Sequence, residues 1–167
     1  CRFCDTDFIG IDGPGGGRFQ EAETLAESIQ DTWRGGGGTP LVVFTGGEPL
    51  LQLDEVLIKA LKAKSFEIAI ETNGTRLAPS GIDHICVSPK ANAPLLLTEG
   101  TELKLVYPQT EAEAQPERFI HLNFEYFYLQ PMDGPKKQEN TQKAIEYCLA
   151  HPSWRLSLQT HKYTDIP

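Results

Sequence analysis

A chain of 167 residues, 40% hydrophobic and with a formal net charge of −8, has the length of one domain and enough apolar content for an ordinary core. The acidic balance excludes broad, charge-driven nucleic-acid binding, which needs basic patches, and no stretch approaches the roughly 20 apolar residues of a membrane-spanning helix. The four cysteines are not spaced as a secreted disulfide framework, so a reducing cytoplasm is the expected setting.

The first seven residues, Cys1-Arg2-Phe3-Cys4-Asp5-Thr6-Asp7, read as a polar loop, and Gly10 to Gly17 as a glycine-rich one. The chain opens inside what looks like a motif, with no methionine and no visible secretory signal, so a preceding segment is expected. Apolar residues at Phe19, Ala22, Leu25, Ala26, Ile29 and Trp33 have helical spacing, stopped by Gly35 to Gly38. Leu41-Val42-Val43-Phe44 then reads as a buried strand. It ends at Thr45-Gly46-Gly47-Glu48-Pro49, where two glycines free the backbone to turn and Pro49 can open a helix. A second helix is expected from Leu53 to Lys64, with Leu53, Val56, Leu57, Ala60 and Leu61 on its inner face.

Strands follow at Phe66 to Ile70, Ile82 to Val87, Glu102 to Tyr107 and Tyr126 to Leu129, with a short weak helix around Glu111 to Glu117. Asn140 to Ala150 reads as a helix with Ala144, Ile145, Cys148 and Leu149 inward, and Trp154 to Thr160 as a last strand. Cys86 and Cys148 fall in apolar patterns and are expected to be small buried hydrophobes. Strands alternating with helices predict an α/β fold with a mainly parallel sheet in a single domain. Polar groups gather where strands finish: Thr45 to Glu48, Glu71-Thr72-Asn73, Ser88-Pro89-Lys90, Gln130-Pro131-Met132-Asp133 and Gln159-Thr160-His161. In a parallel barrel those ends share one mouth, where such folds hold ligands. Taken singly, each is also ordinary turn chemistry.

Cys1 and Cys4 form a Cys-x-x-Cys pair, a spacing that serves zinc, iron–sulfur clusters and redox disulfides alike. No second such pair follows to complete a zinc site, and the flanking Asp5-Thr6-Asp7 is unlike the helix start of a thioredoxin motif.

Cys1 and Cys4 followed by Asp5-Thr6, then Thr45-Gly46-Gly47-Glu48-Pro49, Glu71-Thr72-Asn73-Gly74, Ser88-Pro89-Lys90 and Gln130-Pro131-Met132-Asp133, resemble the radical S-adenosylmethionine (SAM) enzymes. Within them the chain is similar to the 7-carboxy-7-deazaguanine synthase family, over essentially its whole length. The resemblance implies an incomplete TIM-type barrel of about six mainly parallel strands with few helices. It implies a [4Fe–4S] cluster on three cysteines, with Cys1 and Cys4 as the second and third ligands and the first before residue 1. Gly46, Gly47, Glu48, Ser88, Pro89, Lys90, Gln130, Pro131, Met132 and Asp133 are implied to surround SAM, with Glu71 and Asn73 within reach of its polar parts.

By the same resemblance Thr45, Gln159, His161 and Pro167 would contact substrate, and Thr6 would bind Mg²⁺. One neutral hydroxyl is a poor magnesium site, so substrate oxygens and water would have to complete the octahedral shell. Gln159 and His161 are also expected to share one face of the last strand. The implied reaction contracts the ring of 6-carboxy-5,6,7,8-tetrahydropterin to 7-carboxy-7-deazaguanine, with loss of ammonia, on the route to the tRNA base queuosine. A flavodoxin-type reductant and a homodimer are further implications. Two other readings stand beside this one: an activase that makes a glycyl radical in a partner protein, and a zinc-binding α/β module.

Overall fold

In the computed structural model the described residues are 11, 13 and 16–164. Six strands, β1 (Leu41–Phe44), β2 (Glu67–Thr72), β3 (His84–Val87), β4 (Glu99–Tyr107), β5 (Asn123–Pro131) and β6 (Trp154–Leu156), form one sheet in chain order. The pairs β1–β2, β3–β4, β4–β5 and β5–β6 are parallel. The helices are α1 (Ala22–Thr32), α2 (Glu55–Ala63), α3 (Lys137–Ala150) and the single turn α4 (His161–Thr164). An α/β fold of six mainly parallel strands with few helices is therefore what the sequence predicts and what the chain forms.

The described chain divides into two compact units. One comprises 11, 13, 16–72 and 77–85, the other 73–76 and 86–164. In the first, α1, α2 and the buried face of β2 close over Ala26, Leu57, Ile58, Leu61, Ile68 and Ile70, with Val42 and Phe44 of β1 packed against them. The opposite face of β1 is open: Leu41 and Val43 are 47% and 49% exposed. The expected buried strand is thus half-buried, because β1 is the first strand in the sheet order and the unit's apolar cluster meets only its alternate residues. In the second unit α3 packs on β5 and β6, over a core of Leu103, Leu105, Leu129, Ala144 and Trp154. The Phe127 and Trp154 rings meet edge to face at 5.4 Å.

Local chemistry explains where the elements differ from the predicted spans. The Asp54 carboxylate accepts the Leu57 N–H at 2.9 Å, so α2 starts at Glu55 rather than Leu53. Its buried face is Leu57, Ile58 and Leu61, and Val56 is exposed, a rotation of about one residue from the predicted stripe. Helix α1 is shorter than Phe19 to Trp33; Glu21 and Trp33 are extended at its two ends, and both aromatics are exposed. The weak helix near residue 111 is two 3-10 turns, Ala112–Ala114 and Pro116–Arg118. Pro116 forces Gln115 into the extended region between them.

β4 and β5 are longer than their apolar runs, since eight register pairs from Glu99↔Asn123 to Tyr107↔Pro131 satisfy the backbone of their polar ends. Helix α3 begins at Lys137, three residues before its apolar pattern, and Leu149 is exposed rather than inward. Strand β6 stops at Leu156. Cys86 is buried and Cys148 half-buried, with burial pushing the Cys148 thiol up, as expected of packed cysteines.

Candidate functional site

The polar groups expected at the ends of β1, β2, β3 and β5 do sit there. In the first unit the parallel pair β1–β2 brings Thr45-Gly46-Gly47-Glu48 and Glu71-Thr72 to one edge. Gly46 has φ +81°, a left-handed conformation that favours glycine, and among the described residues a Cβ there would meet nothing within 4 Å. The constraint is therefore conformational. Glu48 caps the 3-10 turn Pro49–Leu51, with Pro49 at its start as the sequence predicts. One carboxylate oxygen of Glu48, Oε1, accepts both the Leu50 N–H at 3.0 Å and the Thr72 hydroxyl at 2.7 Å. Thr72 is only 3% exposed. That oxygen ties the glycine corner after β1 to the end of β2. Thr72 was missed as a site residue, although it stands between Glu71 and Asn73 in the motif that flagged them.

In the second unit the ends of β3 and β5 carry the other motifs. Lys90 folds back on its own turn, its ammonium donating to the Ser88 carbonyl and hydroxyl oxygens, each at 2.7 Å. The Asn73 side chain accepts the Thr75 N–H at 2.9 Å, which closes a small turn around Gly74. Gly74 has φ +75°, and a Cβ there would lie 2.6 Å from Leu95 Cδ1 and 2.7 Å from Val87 Cγ1. Glycine is required at that point for space as well as for φ.

Gln130 and Pro131 are the last residues of β5. Met132 is fixed from both sides: its N–H donates to the Tyr107 carbonyl at 2.7 Å, and its carbonyl accepts the Asn140 amide at 2.9 Å. Asn140 is 8% exposed. It is the second residue that sequence reasoning passed over, because only the fold shows its amide to be buried and one turn into α3. Asp133 pairs with Lys162 Nζ at 2.5 Å. That hydrogen bond, with a smaller contribution from the Gly134 backbone, holds the Asp133 carboxyl below the usual range despite partial desolvation.

The tail departs from its predicted form. Gln159 lies in irregular chain beyond β6, and His161 opens α4. The two do not alternate on a strand, so a shared strand face no longer relates them. Cys1, Cys4, Thr6 and Pro167 lie outside the described residues. Among the described residues no group of three or more His, Cys, Asp or Glu is placed to hold a metal ion, and no helix is long and apolar enough to cross a membrane.

A parallel α/β core with glycine and polar groups at its strand ends is the frame of the radical SAM superfamily, and that family model matches residues 1–154. The chain is 61% identical over 167 residues to the 7-carboxy-7-deazaguanine synthase of Caulobacter vibrioides, covering all of this chain and 79% of that protein. It is 60% identical over the same span to the synthase of Bordetella pertussis, again covering 79% of the relative. The crystal structure of QueE from Escherichia coli superposes with a TM-score of 0.66 at 28% identity, over 83% of this chain and 63% of that one. The chain belongs to the 7-carboxy-7-deazaguanine synthase family. Neither the activase nor the zinc-module alternative is favoured by these relatives. Superfamily membership implies a [4Fe–4S] cluster and SAM as cofactors. Within the first unit, the left-handed Gly46 corner beside the polar end of β2 suits the ammonium and carboxylate that SAM presents.

Proposed function

We propose that the chain converts 6-carboxy-5,6,7,8-tetrahydropterin to 7-carboxy-7-deazaguanine with loss of ammonia, within queuosine and deazapurine biosynthesis. The observation that carries this reading is 61% identity to a synthase of that name along the entire chain. When bound, the cluster and SAM supply one-electron hydrogen abstraction from the pterin, chemistry that has to be shielded from water.

Cys1 and Cys4 hold the cluster. Gly46, Gly47, Glu48, Ser88, Pro89, Lys90, Gln130, Pro131, Met132 and Asp133, with Glu71 and Asn73, provide the surroundings of SAM. Backbone at the Gly46 corner receives the methionyl ammonium, and Glu48 fixes that corner through its bonds to Leu50 and Thr72. Asn140 fixes the Met132 carbonyl in the same sense. Thr45, Gln159, His161 and Pro167 bind the pterin. Thr6 binds Mg²⁺, whose shell is completed by substrate oxygens and water, so that the metal orients the substrate and balances its charge. A homodimer in the cytoplasm, reduced by a flavodoxin-type donor, is the setting.

The test is anaerobic reconstitution of the protein with iron and sulfide, followed by incubation with 6-carboxytetrahydropterin, SAM and a reductant. Appearance of 7-carboxy-7-deazaguanine by mass spectrometry is the expected result. A cluster absorbing near 400 nm with SAM cleaved but no deazapurine formed would overturn the substrate assignment. Calorimetry should find magnesium bound weakly without substrate; tight binding by the substrate-free protein would remove Thr6 from the metal site.

A further inference from the structure

After β6 the chain runs on into helix α4. Helix α4 is a single turn, and none of its residues is buried. One turn closes by Lys162 N–H to Gln159, Tyr163 N–H to Thr160 and Thr164 N–H to Thr160 bonds, which do not stabilise so short a helix in water. Among the described residues, two side-chain contacts reach it from the rest of the fold. The Lys162 ammonium pairs with Asp133, and Tyr163 offers its ring to the Lys137 ammonium, 4.0 Å from the ring centroid.

Both anchors are on one short connection, from the residue two past β5 to the first residue of α3. That connection is itself rigid: the Lys137 N–H donates to the Gly134 carbonyl at 2.9 Å, and Asn140 holds Met132. The Lys162 side chain is 21% exposed and that of Asp133 36%, so the pair is partly shielded from solvent and salt.

We infer that Asp133–Lys162 and Lys137–Tyr163 form a two-point clasp that positions the tail for the pterin. Lys162 and Tyr163 are then positioning residues, and the Asp133 carboxylate holds the tail as well as bordering SAM. The inference rests on the proposed function in placing Gln159 and His161 on the substrate. The clasp explains why a carboxylate stands in a strand end otherwise made of neutral groups: its partner is a cation 29 residues on, in the tail. It links the strand end assigned to SAM with the segment assigned to the pterin.

The test compares Lys162→Met, Asp133→Asn, their double variant and Lys162→Arg in the full chain. Both single variants are expected to raise KM for the pterin about fivefold, the scale of a partly shielded ion pair. Lys162→Met should leave kcat and KM for SAM within about twofold. The double variant should be no worse than either single one, since both remove one interaction. Lys162→Arg keeps the pair and should behave as the wild type. Hydrogen exchange at Lys162 to Thr164 should quicken in the Met and Asn variants and stay slow with Arg.

An unchanged KM for the pterin in Lys162→Met would overturn the clasp. Unchanged exchange in both variants would overturn it as well. Should the wild-type protein leave the pterin unconverted, the proposed function falls, and the exchange data alone then decide for or against the clasp.

Discussion

The Glu48–Thr72 bond offers a measurable account of how the glycine corner is held. Thr72→Val keeps the volume near the 3%-exposed Thr72 site but removes the hydroxyl that donates to Glu48 Oε1 at 2.7 Å. A hydrogen bond to a charged acceptor contributes about 1.5–3 kcal/mol net. The carboxylate keeps the Leu50 N–H, which places the expected cost near the middle, about 2 kcal/mol. For a chain of this length that is a fall in Tm of roughly 4–8 °C. Glu48→Gln retains an acceptor oxygen for both donors and loses only the charge, so its cost is about 1 kcal/mol.

The two residues are in contact, so the costs are not additive. In the Glu48→Gln background Thr72→Val breaks a neutral bond and should cost about 1 kcal/mol, a coupling of about 1 kcal/mol. Urea unfolding of the four proteins measures this, and SAM titration reports whether the corner moves, with KM for SAM expected to rise in Thr72→Val. A Thr72→Val cost below about 0.5 kcal/mol, additive with Glu48→Gln, would refute the bond as a fastening of the corner.

Gly74→Ala should destabilise by more than about 1 kcal/mol. The new methyl would meet Leu95 and Val87 at under 3 Å on a backbone of φ +75°, and thermal unfolding would show it. Asn140→Ala leaves the Met132 carbonyl without its side-chain donor, and a loss of about 1–3 kcal/mol with weaker SAM binding is the expected outcome in denaturation and titration. Asp83 is held below the ordinary carboxylate range, first by the Lys62 hydrogen bond and then by the Ile68 N–H, against a desolvation that raises it. Because its folded value is depressed, the stabilisation is present above the unfolded carboxylate value of about 3.9 and is lost as pH falls through the folded one. Asp83→Asn should therefore flatten the decline in stability below about pH 4, and an unchanged acid limb would count against the pair.

Much of the fold was legible because it depends on local pattern. The run Leu41 to Phe44, the Gly46 corner and Pro49 are recovered as strand, left-handed turn and 3-10 start. Each reflects a backbone preference of the residues themselves. Periodicity placed Ala22, Leu25, Ala26 and Ile29 on the inner side of α1 for the same reason. Strand lengths were not legible: β4 extends to Glu99 because β5 supplies hydrogen-bond partners that no local pattern encodes. Nor was the end of β6, where alternation at Leu156 and Leu158 continues past the last ladder bond.

The sequence by itself determined the alternation of strands and helices, the polar strand ends and the family to which they belong. Those follow from period, turn chemistry and residue identity at fixed spacings. Only the tertiary structure decided that Glu48 spends one oxygen on Leu50 and Thr72, that Asn140 holds Met132, and that Asp133 faces Lys162. The physical reason is separation along the chain: these partners lie up to 29 residues apart. Which donor meets which acceptor is set by how the strands and helices stack, not by the preferences of any one segment.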